Sequence, residues 1–268
     1  MRIIIKSDDE VATMREAGRV VAEVLEILAG TVRPGLIVKD LDTIVKDEYQ
    51  RRNVVPTFLG YLGYPARVCV SINDEIVHGI PGTRVIQEGD IVSIDLGATH
   101  RGFVADSALS IGVGRMAPEA QQLMDATYES LREGIRAAQP GARLGEVSHA
   151  IQVCAEAAGF SVVRKYVGHG VGRDMHEDPQ VPNFGPPDRG PVLRKGMVLA
   201  LEPMLNIGGY ETKEHDDGWL VTTQDGSLSA HFEHTIAITD DGPEILTIRS
   251  DEEAERSGTM ASPTQRRR

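Results

Sequence analysis

Two stretches of this chain follow one plan. Pro34-Gly35-Leu36-Ile37-Val38-Lys39-Asp40-Leu41 matches Pro140-Gly141-Ala142-Arg143-Leu144-Gly145-Glu146-Val147 at an offset of 106 residues. Gly89-Asp90-Ile91-Val92-Ser93-Ile94-Asp95 matches Gly196-Met197-Val198-Leu199-Ala200-Leu201-Glu202 at an offset of 107. Further on, Ala105-Asp106-Ser107-Ala108-Leu109-Ser110-Ile111 matches Phe232-Glu233-His234-Thr235-Ile236-Ala237-Ile238 at 127, as if about twenty residues had entered the second half. One short apolar match is within the reach of chance, but three in the same order favour duplication. The inserted residues contain Asp217-Gly218, a turn signal that fits one extra hairpin.

Apolar periodicity supplies the elements of each copy. Val11, Met14, Val20, Val21, Val24, Leu25 and Leu28 recur at helical spacing from Asp8 or Asp9 to Ala29, before Gly30. Further helices read at 40–52, 117–138 and 144–158. Strands read as Arg67 to Ile72, Ile91 to Leu96, Val104 to Ile111, Met197 to Leu205 and Glu233 to Ile238. From Arg249 onward, acids mix with Ser, Gly, Pro and a terminal Arg266-Arg267-Arg268, so 249–268 reads as a disordered tail behind a domain spanning 1–248.

The composition fits a protein with a sizeable core: 268 residues, 41% hydrophobic and 25% charged. With 28 basic and 40 acidic residues, the net charge of −12 argues against nucleic acid or an anionic membrane as a general partner. Cys69 and Cys154 stand far apart, outside any C-x-x-C motif, which excludes a disulfide framework or zinc knuckle and points to reducing cytoplasm. The run Ile3-Ile4-Ile5 is too short for a signal peptide, and no stretch approaches the ~20 apolar residues of a membrane span.

The duplication has a chemical consequence. Each half brings one acid on its first strand and one on its second, Asp95 with Asp106 and Glu202 with Glu233. Asp95 follows the apolar run Ile91-Val92-Ser93-Ile94, where an unpartnered carboxylate costs on the order of several kcal/mol to bury. If residues 100 and 101 form the turn of a simple hairpin, Asp95 and Asp106 lie directly opposite, with Cβ atoms ~5 Å apart on one face. Carboxylates so placed repel unless a cation lies between them. His169, between Gly168 and Gly170, is the nearest candidate nitrogen ligand.

Met singly, an acid at a strand end is more often solvated, and a histidine more often a satisfied polar group. The repeated placement on apolar strands argues otherwise. Four carboxylates and one imidazole form a hard, oxygen-rich set unlike a Cys/His zinc site, suited to Mn, Fe, Co or catalytic Zn. Four acids are too many for one small ion. The expectation is two divalent ions ~3.5–4 Å apart, sharing carboxylates and acidifying a bridging water from ~15.7 toward ~7.

These residues lie in segments that resemble the type I methionine aminopeptidases: Ser71 to Pro81, Asp95 through Asp106, Gly168-His169-Gly170-Val171-Gly172 with His176-Glu177-Asp178-Pro179, Leu201-Glu202-Pro203-Met204, and Phe232-Glu233-His234-Thr235. The resemblance runs from about residue 5 to 248. It implies the α+β pita-bread fold shared with aminopeptidase P, prolidase and creatinase: two pseudo-two-fold halves with a curved antiparallel sheet covered by helices. It implies Asp95, Asp106, His169, Glu202 and Glu233 as ligands of two metal ions, with Asp106 and Glu233 bridging.

It also implies that His78 and His176 contact the scissile amide and carbonyl, that Glu202 carries the water proton, and that the methionine pocket is Tyr61, Tyr64, Cys69, Met175 and Trp219. Met175 departs from the phenylalanine frequent in relatives. The implied activity is release of N-terminal methionine, with a small second residue preferred, from nascent polypeptides by a cytoplasmic monomer. The ribosome is a further candidate partner. An Xaa-Pro aminopeptidase or prolidase shares the five ligands but generally carries an additional N-terminal domain, whereas here the first helix begins near Asp8. Only 33 residues separate His169 from Glu202 and 31 separate Glu202 from Glu233, which leaves no room for the helical insertion of type II enzymes. A non-enzymatic peptide-binding relative would have no need of all five ligands and both histidines.

Overall fold

The computed structural model describes residues 2–256. Helix α1 (Asp8–Thr31) opens on a reciprocal cap, in which Ser7 accepts from the Glu10 N–H and the Glu10 carboxylate accepts from the Ser7 N–H. With α2 (Val38–Arg52), α3 (Pro118–Ala137) and α4 (Leu144–Ala157), it lies within two residues of the boundaries read from periodicity. The first half contains β1 (Val55–Pro56), β2 (Cys69–Ile72), β3 (Glu75–Val77), β4 (Ile91–His100) and β5 (Phe103–Gly112). The second contains β6 (Ser161–Val162), β7 (Gly168–Gly170), β8 (Glu177–Val181), β9 (Val198–Leu201), β10 (Met204–Asn206), β11 (Thr212–Glu214), β12 (Val221–Thr223), β13 (Ser229–His231), β14 (His234–Thr239) and β15 (Gly242–Ile245). Among the described residues, no helix is long and apolar enough to cross a membrane.

The repeat survives in the backbone bonding. Gly35 N–H donates to the Ile86 carbonyl, Ile86 to Leu36, Val38 to Arg84 and Lys39 to Gly82. In the second half Gly141 donates to Leu193, Leu193 to Ala142, Leu144 to Pro191 and Gly145 to Arg189. Each copy then sends its helices onto one side of its sheet. Val21, Leu25 and Leu28 of α1 and Leu41 and Val45 of α2 pack on Val92, Ile94 and Leu96; Leu131, Val147 and Ile151 of α3 and α4 pack on Leu199, Leu201 and Ile236. The result is the duplicated pita-bread arrangement. The inserted residues form the expected hairpin, β11 against β12, which pairs on to β3.

Three expectations need correction. The β4–β5 turn is Arg101-Gly102, because a two-residue loop of this hand needs positive φ at both positions (49° and 77°) and glycine serves best at the second. Asp95 therefore faces Ala108, and Asp106 faces Gly97. The pairing has moved by two residues, which keeps both acids on the same face as diagonal neighbours. The expected strand Met197 to Leu205 breaks into β9 and β10 at Glu202-Pro203, where proline has no N–H to give to a ladder. The tail expected from Arg249 instead begins with α5 (Ser250–Arg256), held by buried Glu252; residues 257–268 lie outside the described residues.

Candidate metal centre and substrate cavity

The two sheets meet along β5 and the segment 231–235, and this seam builds the site. Ala108 and Glu233 exchange backbone bonds, Glu233 N–H to Ala108 at 2.9 Å and Ala108 N–H to Glu233 at 3.4 Å. One step along, side chains replace the ladder: Thr235 Oγ1 accepts from Asp106 N–H (2.9 Å) and donates to the Asp106 carbonyl (2.7 Å). Adding the pairs Thr235–Ala200 and His169–Ala200 gives one continuous row across both halves: His169, Ala200, Thr235, Asp106, Gly97. Two residues over, on the same face, the next row reads Glu202, Glu233, Ala108, Asp95, Cys69. All five expected ligands thus fall on two adjacent rows of one face, separated by small residues.

Asp106, His169 and Glu233 are buried, and each presents a ligand atom within 4.8 Å of the others. His169 Nε2 is 3.6 Å from Glu202 Oε1. His169 Nδ1 donates to the Gly170 carbonyl (2.9 Å), leaving Nε2 as the lone-pair nitrogen turned to the acids. One carboxylate oxygen each on Asp95, Asp106 and Glu233 is buried with no hydrogen-bond partner. Burial, joined by mutual repulsion, holds Asp95, Glu202 and Glu233 well above the usual carboxylate range, and burial pushes Asp106 up to about 7. Burial and the neighbouring His176 lower His169 to about 3, so the imidazole is neutral. Orphaned buried carboxyl oxygens around a neutral imidazole are what a divalent cation satisfies, by binding the ionised form in place of the protons, and this donor set fits one.

These five residues line one side of a cavity of about 160 Å³ whose other walls are Tyr61, Tyr64, Cys69, His78, Met175, His176 and Trp219. The structure therefore gathers every residue singled out in the sequence into a single space. His176 stacks on Tyr61 with centroids 5.4 Å apart, and its Nδ1 is 2.7 Å from the Tyr61 hydroxyl. His78 adopts the left-handed region (φ 64°) and is wedged edge-on between Tyr166 and Trp219 at 5.8 and 6.3 Å. Burial, with His176 nearby, lowers His78 to about 4, and burial lowers His176 too. Both rings are neutral near pH 7. Trp219 is brought over the cavity by the inserted hairpin and packs edge-on against Tyr64 at 5.0 Å.

Sequence reasoning missed two wall residues, Phe58 and Leu62. Both belong to Phe58-Leu59-Gly60-Tyr61-Leu62-Gly63-Tyr64, whose alternation of glycine with large apolar residues was the available signal.

The chain matches the model of metallopeptidase family M24 over residues 12–240. It is 51% identical to methionine aminopeptidase 1 of Bacillus subtilis over 245 residues, which cover 91% of this chain and 99% of that one. The crystal structure of methionine aminopeptidase from Thermotoga maritima aligns with a TM-score of 0.91 at 47% identity, covering 92% and 99% of the two chains. An Xaa-Pro dipeptidase from Bacillus anthracis aligns at a TM-score of 0.71 with 20% identity, over 91% of this chain but 61% of that one, a likeness of fold alone.

Proposed function

The chain belongs to metallopeptidase family M24 and, within it, to the methionine aminopeptidases, and from that premise we propose how its residues remove an N-terminal methionine. The reaction is hydrolysis of the first peptide bond of a polypeptide that begins with methionine. Asp95, Asp106, His169, Glu202 and Glu233 would hold the divalent metal, two ions in this reading, with Asp106 and Glu233 as the carboxylates common to both. The observation that carries this reading is the set of partnerless buried oxygens on Asp95, Asp106 and Glu233 on one face of the seam. Bound there, Mn, Fe, Co or Zn supplies a Lewis acid and a water acidic enough to ionise at neutral pH.

The chain's own groups do the rest. Glu202, beside His169 Nε2, takes the proton of the attacking water and returns it to the leaving amine. The Tyr61 hydroxyl lies 2.7 Å from His176 Nδ1; in this reading it donates there, keeping the ring proton on Nε2, from which His176 donates to the carbonyl oxygen as charge develops. His78, fixed between Tyr166 and Trp219, holds the scissile amide. Tyr61, Tyr64, Cys69, Met175 and Trp219, joined by Phe58, form an apolar pocket for the methionine thioether. A small second residue completes the preference assigned to this site. In this reading the substrates are newly made polypeptides, the compartment is the cytoplasm and the ribosome is a further partner; a cavity lined by one chain supports a monomer.

The test is methionine release from a Met-Ala-Ser peptide with added Mn or Co, beside Gly-Pro and Met-Pro peptides. Metal-dependent release from Met-Ala-Ser is expected. Cleavage of the proline peptides alone would move the chain to the prolidase branch, and metal-dependent binding without turnover would make it a peptide-binding relative.

A further inference from the structure

Beneath the loop that carries Met175 and His176 lies a buried ion pair that the reaction itself does not use. Lys6 Nζ is 2.6 Å from Glu177 Oε2, and the two side chains are 3% and 4% exposed. The ammonium also donates to the Ile4 carbonyl at 3.2 Å. The other Glu177 oxygen accepts from the backbone N–H of Arg173 (2.9 Å) and of Asp174 (3.4 Å), which closes residues 173–177 into a ring. Lys6 is in turn rooted in the second sheet, since its N–H donates to the Gly196 carbonyl (2.7 Å) two residues before β9. A Cβ at Gly172 would come within 2.4 Å of the Glu177 carboxylate and 2.5 Å of the Lys6 stem, so a side chain there would displace the pair.

We propose that Lys6 and Glu177 are positioning residues that fix His176 in the cavity. The inference rests on the substrate-contacting role given to His176 above. A buried ion pair adds little net stability, because desolvation offsets most of the attraction, but it is directional. Removal of one partner strands the other charge. The pair joins residues 171 apart in sequence, one on the N-terminal strap and one adjacent to His176. From the cavity side His176 is held by Tyr61 and His169 and the loop by Met175 in its apolar cluster, so the ion pair is the anchor from beneath, and a displacement of about 1 Å at a catalytic group can cost about 100-fold in rate. Lys6, bonded to Gly196 just before β9, thus ties the loop that carries His176 to the sheet that carries His169.

The experiment is a double-mutant cycle on the Mn-loaded full chain, with kcat and KM for Met-Ala-Ser measured in the parent, Lys6→Met, His176→Ala and the double variant. Thermal melting is followed alongside, and the ¹⁵N shifts of the His176 ring are read in the diamagnetic Zn-loaded chain. Lys6→Met is expected to lower kcat at least tenfold with KM within threefold, to move the His176 ring shifts, and to cost less than threefold once His176 is gone. Equal losses in both backgrounds, or unmoved ring shifts, would overturn the proposal and leave the pair as a structural tie. Should Lys6→Met fail to fold, Glu177→Gln enters the same cycle, since it keeps an acceptor for Arg173 and Asp174 while losing the charge. Parent-like activity in the single His176→Ala variant would remove the role assigned to His176, and its positioning with it, an outcome told apart from failure of Lys6 by that variant alone.

Discussion

Ala108 shows how closely the chemistry depends on what is small. It occupies the slot between Asp95 and Glu233 in the row that crosses the seam, and it is fully buried. Its methyl leaves open the space in which the proposed cation would meet both acids. Ala108→Leu should fill that space, weakening Mn binding by about 100-fold in calorimetry, comparable to a lost ligand-support contact. Parent-like affinity in that variant would mean that the two acids do not share an ion across this row. Tyr61 makes the converse point, because its ring and its hydroxyl do separable things. Tyr61→Phe keeps the stacking on His176 but frees Nδ1, so the neutral ring can place its proton on either nitrogen. Roughly a tenfold loss in kcat with little change in KM is expected, less than the ~10²–10⁴-fold of a general acid–base group itself, because the tyrosine acts on the tautomer and not on the substrate; an equal rise in KM would assign the tyrosine to binding instead.

The C-terminal helix α5 is a latch on the back of the site. Glu252 is buried, with its Oε1 3.0 Å from His234 Nε2, 2.5 Å from Arg249 Nη2 and 2.9 Å from the Tyr128 hydroxyl, while Oε2 accepts the Arg249 N–H. His234 directly follows Glu233, so the latch braces the strand that presents a ligand. Although burial opposes it, the attraction of His234 and Arg249 holds the Glu252 carboxyl well below its usual range. A carboxylate depressed in the fold contributes stability above its unfolded value of 4.5 and loses it as pH falls through the folded value. Glu252→Gln should therefore lower the unfolding free energy most at neutral pH, by on the order of 3–5 kcal/mol, and progressively less below about pH 4.5; a pH-independent loss would point to packing alone. Sequence reading could not find this helix, because it is one short charged segment whose partners lie on β14 and α3, more than a hundred residues from Tyr128. The sheet acids were legible for the opposite reason: Asp95 and Glu202 end apolar runs in matching places, a local signal given twice. Register was legible only to its parity. Moving the turn from His100-Arg101 to Arg101-Gly102 changed Asp106's partner, yet a shift of two residues cannot change a face.

The duplicated halves, closed on each other, concentrate charge that neither half holds alone, and this ties the stability of the molecule to its metal. The folded site raises all four carboxylates, Asp106 from 3.8 to about 7. Where a carboxyl is raised in the fold, the folded chain binds the proton more tightly than the unfolded chain, so stability falls as pH rises through that window. For Asp106 the window is pH 3.8 to about 7, and the fully ionised site is destabilised by a few kcal/mol, on the order expected at 1.36 kcal/mol per unit. A divalent cation reverses the sign, since it binds the ionised form and expels the protons. Chain stripped with chelator should melt lower at pH 7.5 than at pH 5, and Mn at about 100 times its Kd should return about 2.7 kcal/mol, or roughly 5–10 °C for a chain of this size. The Mn-dependent gain should itself grow with pH. A stripped chain that melts at the same temperature across this range, with a Mn shift indifferent to pH, would show that the four acids are not jointly held by the ions and that their burial is satisfied some other way.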